Sequence, residues 1–326
     1  MKRILTVSAL LLVSSLLSLI AACQPSPATI TSVPSPTPVI TGTPASPQAL
    51  QASSASPAPS TTTASTPKPS PSPTPGSQPI IWTKPGAPVT LTVDTVSNRA
   101  TYKSGDSEIS GYFYKPQGTG PFPAVLVLHG KSGLGEPTRA YASWLATQGY
   151  VALAPDYLKP IGMSAGAWAG ADYGKYTDRI REILGYGVES LKSLSYVSPN
   201  NLGVVGMSLG GFFAFVLATR DDLKGIVSYY GAYAPGLVNP RYPLADIIAQ
   251  IKTPVLMFHG DKDDVVPIEH AVAARDFLTS SGKQFEYIIY PGAGHAFDIQ
   301  GGATYDAAAT ADARQKVVVF LQARLK

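Results

Sequence analysis

Six short apolar runs alternate with helix-patterned stretches from residue 124 onward, and this alternation constrains the fold more than any other feature. The runs cover 124–128, 150–154, 202–206, 225–229, 255–258 and 285–290. They are continuous rather than alternating, which suits strands buried on both faces. Helical stretches at 140–147, 178–195, 209–218, 268–279 and 305–325 follow them. Such an order predicts an α/β domain: a mostly parallel central sheet with helices on both faces. Ahead of it, 89–93 and 109–114 alternate in the β manner and read as antiparallel edge strands. The domain is placed at 80–326, long enough for a single sizeable core. In a sheet of this kind the active site gathers at the carboxyl ends of the strands.

The first 79 residues follow different rules. Lys2 and Arg3 precede an apolar run over 4–22, the charged start and hydrophobic core of a secretory signal. The same run is long enough for an uncleaved membrane anchor. Ile20-Ala21-Ala22-Cys23 resembles the bacterial lipobox, in which small residues precede a cysteine that is lipidated and becomes residue one. That resemblance implies a signal peptide over 1–22, a lipid on Cys23 and an extracytoplasmic domain anchored to a bacterial cell membrane. Residues 23–79 are rich in Pro, Ser, Thr and Ala and carry one charge, Lys68. A run such as Ser70-Pro71-Ser72-Pro73-Thr74-Pro75 cannot bury a core and favours extended polyproline conformations, so the segment reads as a semi-rigid spacer.

Composition excludes several classes of function. The chain has 25 basic and 21 acidic residues, and the basic excess lies mostly in Lys2, Arg3 and Lys68. No basic stripe for nucleic acid remains in the domain. Cys23 is the sole cysteine, which excludes intramolecular disulfides and CxxC sites. The four histidines, at 129, 259, 270 and 295, have no metal-ligand spacing, and no metal or other cofactor is expected.

Three strand ends carry chemistry. Gly206-Met207-Ser208-Leu209-Gly210 directly follows the run 202–206 and precedes an apolar helix, the context of a nucleophile elbow. The plainer alternative is a serine capping that helix. His259-Gly260-Asp261-Lys262-Asp263-Asp264 follows the run 255–258, and Gly294-His295-Ala296-Phe297 follows 285–290. A serine hydroxyl needs a base to take its proton, and an imidazole needs a carboxylate to hold its tautomer. The order Ser208, then Asp263 or its neighbour Asp264, then His295 is that of α/β-hydrolases.

With these motifs, residues from about 100 to 326 resemble the dienelactone hydrolase family of α/β-hydrolases. The match extends through 123–130, 148–156, the elbow, 260–267 and 291–297. It implies Ser208 as nucleophile, Asp263 as orienting acid and His295 as base. It also implies an oxyanion hole from the backbone N–H groups of Leu209 and Lys131. Dienelactone hydrolases proper have cysteine where Ser208 stands and a glutamate in the turn occupied by Gly130. Both departures point toward a general carboxylic ester, small or polymeric, rather than the lactone of the family's name. Trp168, Tyr173 and Tyr230 are candidates for the substrate pocket, with packing beneath a loop as the alternative. His129 and His259 are expected to brace loops, and His270 to lie on a helix. Two other readings use the same pattern: an acyl-peptide hydrolase, and a hydrolase fold retained for binding without catalysis.

Overall fold

Along strand β4 (Phe122–Leu128), Val125 and Val127 enter one apolar cluster while Leu126 and Leu128 enter another, and all four are fully buried. A strand with two apolar faces requires a layer on each side. The computed structural model, which describes residues 79–163, 173–233 and 242–326, supplies both layers. Helices α1 (Glu136–Thr147) and α6 (Ala307–Leu325) place Tyr141, Leu145, Val317 and Leu321 on the first face. Helices α2 (Tyr173–Lys192), α3 (Leu209–Leu217), α4 (Leu244–Gln250) and α5 (Ile268–Ser280) place Ile183, Phe213, Ile247 and Ala274 on the second. Each fully buried Leu, Ile, Val or Phe side chain contributes roughly 1.5–3 kcal/mol.

The remaining strands are β1 (Thr92–Asp94), β2 (Arg99–Ser104), β3 (Ser107–Tyr114), β5 (Val151–Pro155), β6 (Val197–Met207), β7 (Gly225–Tyr229), β8 (Val255–Gly260) and β9 (Phe285–Tyr290). They form one sheet in the order β1-β2-β3-β5-β4-β6-β7-β8-β9. Pairing is antiparallel from β1 to β5 and parallel from β5 to β9. This is the mostly parallel α/β architecture with helices on both faces. Successive strands leave β4 in opposite directions, so a crevice opens beside its carboxyl end. Ser208 stands just past β6, the neighbour of β4 on one side.

Several elements differ from the sequence reading. The alternation at 89–93 yields only the short β1, because the chain pairs with β2 no earlier than Thr92. Strand β2 was not anticipated: Ala100, Tyr102 and Ser104 turn inward, but of these only Tyr102 is large and apolar, and the polar Ser104 at an inward position hides the alternation that Arg99 and Lys103 mark on the outer face. Helix α4 was also missed, having seven residues, too few to show a period. Helix α1 begins at Glu136 because Pro137 is tolerated in a first turn, where its missing N–H costs nothing.

The start of the domain is fastened at the end remote from Ser208. Trp82 Nε1 donates to Thr219 Oγ1, past the carboxyl end of α3, at 2.9 Å. The Trp82 ring lies 4.9 Å from the Arg220 guanidinium and 5.4 Å from that of Arg181.

Candidate active site

Glycine at two positions lets β6 turn into α3 within one residue. A Cβ on Gly206 would lie 2.1 Å from the Gly210 carbonyl oxygen, and one on Gly210 would lie 2.4 Å from that of Leu128. Any side chain at either place would push the strand and helix apart. Ser208 between them has φ 54° and ψ −115°, a conformation that costs on the order of 1–3 kcal/mol for a non-glycine residue. Backbone bonds hold it there: its N–H donates to Tyr229 O at 2.9 Å, and its carbonyl accepts from Gly211 N and Ala232 N at 2.9 and 3.0 Å. Ser208 occupies the N-cap position of α3, yet its side chain caps nothing. Oγ instead meets His295 Nε2 at 3.1 Å.

The other imidazole nitrogen, Nδ1, donates to Asp263 Oδ2 at 2.8 Å. Nε2 is thereby left to accept from Ser208. Asp263 Oδ1 accepts from the N–H groups of Val265 and Val266 at 3.0 and 2.7 Å. Burial works against ionisation of Asp263, but the bonds from His295 and Val266 outweigh it and hold the carboxyl below its ordinary range. The neighbouring Asp264 is exposed. Three side chains from the ends of β6, β8 and β9 are thus joined in one line, and the acid in it is Asp263.

His259 adds a second imidazole to the acid. Its Nε2 donates to Val266 O at 2.8 Å and lies 3.5 Å from Asp263 Oδ2. Burial holds its pKa below the ordinary value, so the ring stays neutral. It braces the Asp263 loop, while His270 lies on α5 and is partly exposed.

The turn after β4 approaches Ser208 from the other side. A Cβ on Gly130 would lie 3.3 Å from Ser208 Cβ and 3.8 Å from Oγ, so a larger residue here would project against the hydroxyl. Gly133 N donates to Gly130 O at 3.1 Å and closes the turn. Leu209 is the first residue of α3, where an N–H has no intrahelical acceptor. The Lys131 side chain is exposed, which leaves its backbone as the part of interest. His129 supports this turn from below. It is fully buried, stacks on Tyr157 with centroids 4.1 Å apart, and donates from Nδ1 to Gly130 O at 2.7 Å. Tyr157 in turn donates to His129 O at 2.5 Å. Burial pushes His129 down to about 4, against the opposing pull of Gly130 O and Asp156.

The substrate-pocket candidates fare differently. Trp168 lies outside the described residues. Tyr173 is the first residue of α2 rather than part of a loop, and its side chain lies outside the description. Tyr230 is 2% exposed, and its hydroxyl donates to Asp298 at 2.5 Å. It therefore packs beneath His295 and is not an open pocket wall. Asp298 itself was missed, since nothing in Phe297-Asp298-Ile299 marks a partner 68 residues away.

Comparison with known proteins bears on the fold and the family. A curated protein of Synechocystis sp., provisionally named carboxymethylenebutenolidase, is 28% identical over 256 residues, covering 72% of this chain and 100% of its own. The crystal structure of a provisionally identified dienelactone hydrolase from Klebsiella pneumoniae superposes with a TM-score of 0.60 at 24% identity, over 67% of this chain and 95% of that one. An acylaminoacyl peptidase from Pyrococcus horikoshii shares the fold at a TM-score of 0.57 and 20% identity, over 73% of this chain but 42% of the peptidase. The model of the dienelactone hydrolase family matches residues 109–325, and the chain belongs to that family of hydrolases.

Proposed function

We propose that the chain is a serine hydrolase of carboxylic esters that works through an acyl-enzyme, with Ser208 as nucleophile, His295 as base and Asp263 as orienting acid. The observation that carries this reading is the continuous line from Ser208 Oγ through both nitrogens of His295 to Asp263 Oδ2. In the first half-reaction Oγ attacks the ester carbonyl carbon while its proton passes to His295 Nε2. Asp263 stabilises the resulting imidazolium. The tetrahedral oxyanion is assigned to the N–H groups of Leu209 and Lys131. Collapse breaks the bond to the alkoxy oxygen, which leaves as the alcohol with the proton from Nε2. Water then enters, gives its proton to Nε2 and attacks the acyl carbon. The second collapse returns that proton to Ser208 Oγ and releases the acid.

The ester is read as a general one, small or polymeric, because serine replaces the family's cysteine and Gly130 leaves the nucleophile uncrowded on that side. The location is proposed as the outer face of a bacterial cell membrane, through a lipid on Cys23. The leader, the lipobox-like Ile20-Ala21-Ala22-Cys23 and the absence of any other cysteine support this.

The deciding experiment incubates the protein with a fluorophosphonate and with p-nitrophenyl esters of short acids, beside Ser208→Ala and an acyl-peptide p-nitroanilide. Labelling and esterase activity that both vanish in Ser208→Ala, and that resist iodoacetamide, are the expected result. Ester turnover that persists in Ser208→Ala would refute the mechanism. Faster turnover of the anilide would move the assignment to a peptidase.

A further inference from the structure

Tyr230 is the first residue beyond β7, and it is held in an unfavourable backbone conformation with φ 36°. Its N–H donates to Phe258 O, within β8, at 2.7 Å. Its ring lies between His295 and Phe297, with centroids 4.8 and 5.6 Å away at interplanar angles of 62° and 78°. Its hydroxyl reaches Asp298, three residues past His295 on the same loop. Both members of the pair are buried, Tyr230 at 2% and Asp298 at 8% exposure. Backbone strain and a buried carboxylate are both costly, and both stand directly behind the base.

The loop carrying His295 has other ties: Thr304 Oγ1 donates to His295 O, and Asp306 N and Thr310 Oγ1 donate to Phe297 O. A further neutral tie would have been enough to fasten it. A carboxylate instead brings a charge. Burial raises the Asp298 carboxyl above its ordinary range, while the Tyr230 hydroxyl, Arg314 of α6 and His295 all favour its ionised form. Tyr141 of α1 and Tyr229 of β7 also face this cluster, and both stay neutral because burial raises their hydroxyls far above the physiological range. Around His295 itself the ionisable groups are Asp263 and His259 from the loop after β8 and from β8, Tyr230 from β7, and Asp298.

We propose that Tyr230 and Asp298 are a positioning pair for His295: the ring holds the imidazole plane in line with Ser208, and the carboxylate supports the positive charge the imidazole acquires during attack. The inference rests on the reading of His295 as base. It differs from a substrate wall, which would act on binding, and from a mere structural tie, which would leave the pH profile in place.

The test uses the full chain. Fluorophosphonate labelling of the wild type and its loss in Ser208→Ala are scored first; if they fail, the triad reading falls and this one with it, whatever positions 230 and 298 do. Tyr230→Phe keeps the ring and removes the bond to Asp298, and Asp298→Asn keeps the shape and removes the charge. Steady-state ester hydrolysis is then measured from pH 5 to 9. Tyr230→Phe is expected to lower kcat on the order of tenfold with KM little changed, since a small misalignment of base and nucleophile acts on the chemical step. Asp298→Asn is expected to lower kcat and to move the acid limb of kcat/KM to lower pH, because a lost negative charge makes the imidazolium less favourable. A raised KM with unchanged kcat in Tyr230→Phe would overturn the proposal, as would an acid limb that Asp298→Asn leaves in place. Circular dichroism checks both folds. If one variant fails to fold, the other decides; failure of both would make the pair structural and overturn the inference.

Discussion

Acid should destabilise this domain through a group that takes no part in the chemistry. His129 is fully buried behind the turn that faces Ser208, with Nδ1 bonded to Gly130 O and Nε2 making no hydrogen bond among the described residues, 3.9 Å from Asp156 Oδ1. Its pKa falls from 6.5 in the unfolded chain to about 4 in the fold, chiefly because burial disfavours the charged ring. The fold therefore binds a proton less readily than the unfolded chain. Stability from this residue is fully present above pH 6.5 and is lost as pH falls through the interval down to about 4. At about 1.4 kcal/mol per pH unit of difference, the loss between pH 7 and pH 4 is about 3 kcal/mol. The matching perturbation is His129→Phe, which keeps a ring stacked on Tyr157 but cannot titrate. Urea unfolding followed by tryptophan fluorescence, repeated at half-unit steps of pH, gives both stability curves. His259 is also held neutral by burial and shifts stability in the same direction, but it does so equally in both proteins and cancels in the comparison. The variant should start lower at pH 7, having lost the bond to Gly130 O, and then fall less steeply, so that the curves converge toward pH 4. Parallel curves would refute the reasoning.

Other expectations follow from the same geometry. Asp263→Asn should lower kcat by roughly three to four orders of magnitude, the scale for removing the orienting carboxylate of a triad, while exposed Asp264→Asn should stay near wild type; comparable losses at the two positions would contradict the assignment. Gly130→Ala should reduce kcat/KM on the order of tenfold with little change in unfolding midpoint, because the new methyl presses on Ser208 and not on the core; steady-state kinetics beside a thermal melt checks both halves. Cys23→Ser should abolish metabolic labelling with palmitate and release the protein from the membrane fraction or leave it as an unprocessed precursor; labelling that survives would place the anchor elsewhere.

The α/β architecture and the residues to watch were legible in the chain because both are written locally. A buried parallel strand is a short apolar run, and a strand-to-helix turn such as Gly206–Gly210 needs small residues at fixed positions whatever surrounds it. Ser208, Asp263 and His295 each stand just past such a run, so a parallel sheet was bound to carry them to the same end. What the chain could not display was everything decided by strand order and side-chain direction. Strand β2 exists because its backbone finds a neighbour in β3, which an inward set of one small, one aromatic and one polar residue (Ala100, Tyr102 and Ser104) does not announce. Asp263 and Asp264 are chemically alike in sequence; the fold buries one against two backbone N–H groups and an imidazole and leaves the other in water. Tyr230 looked like a pocket residue because it follows a strand end. Its position between His295 and Phe297, with its hydroxyl on Asp298, depends on β7, β8 and β9 lying side by side. Local spacing follows from the geometry of a few consecutive residues, whereas a contact across 68 positions exists only once the sheet has brought its ends together.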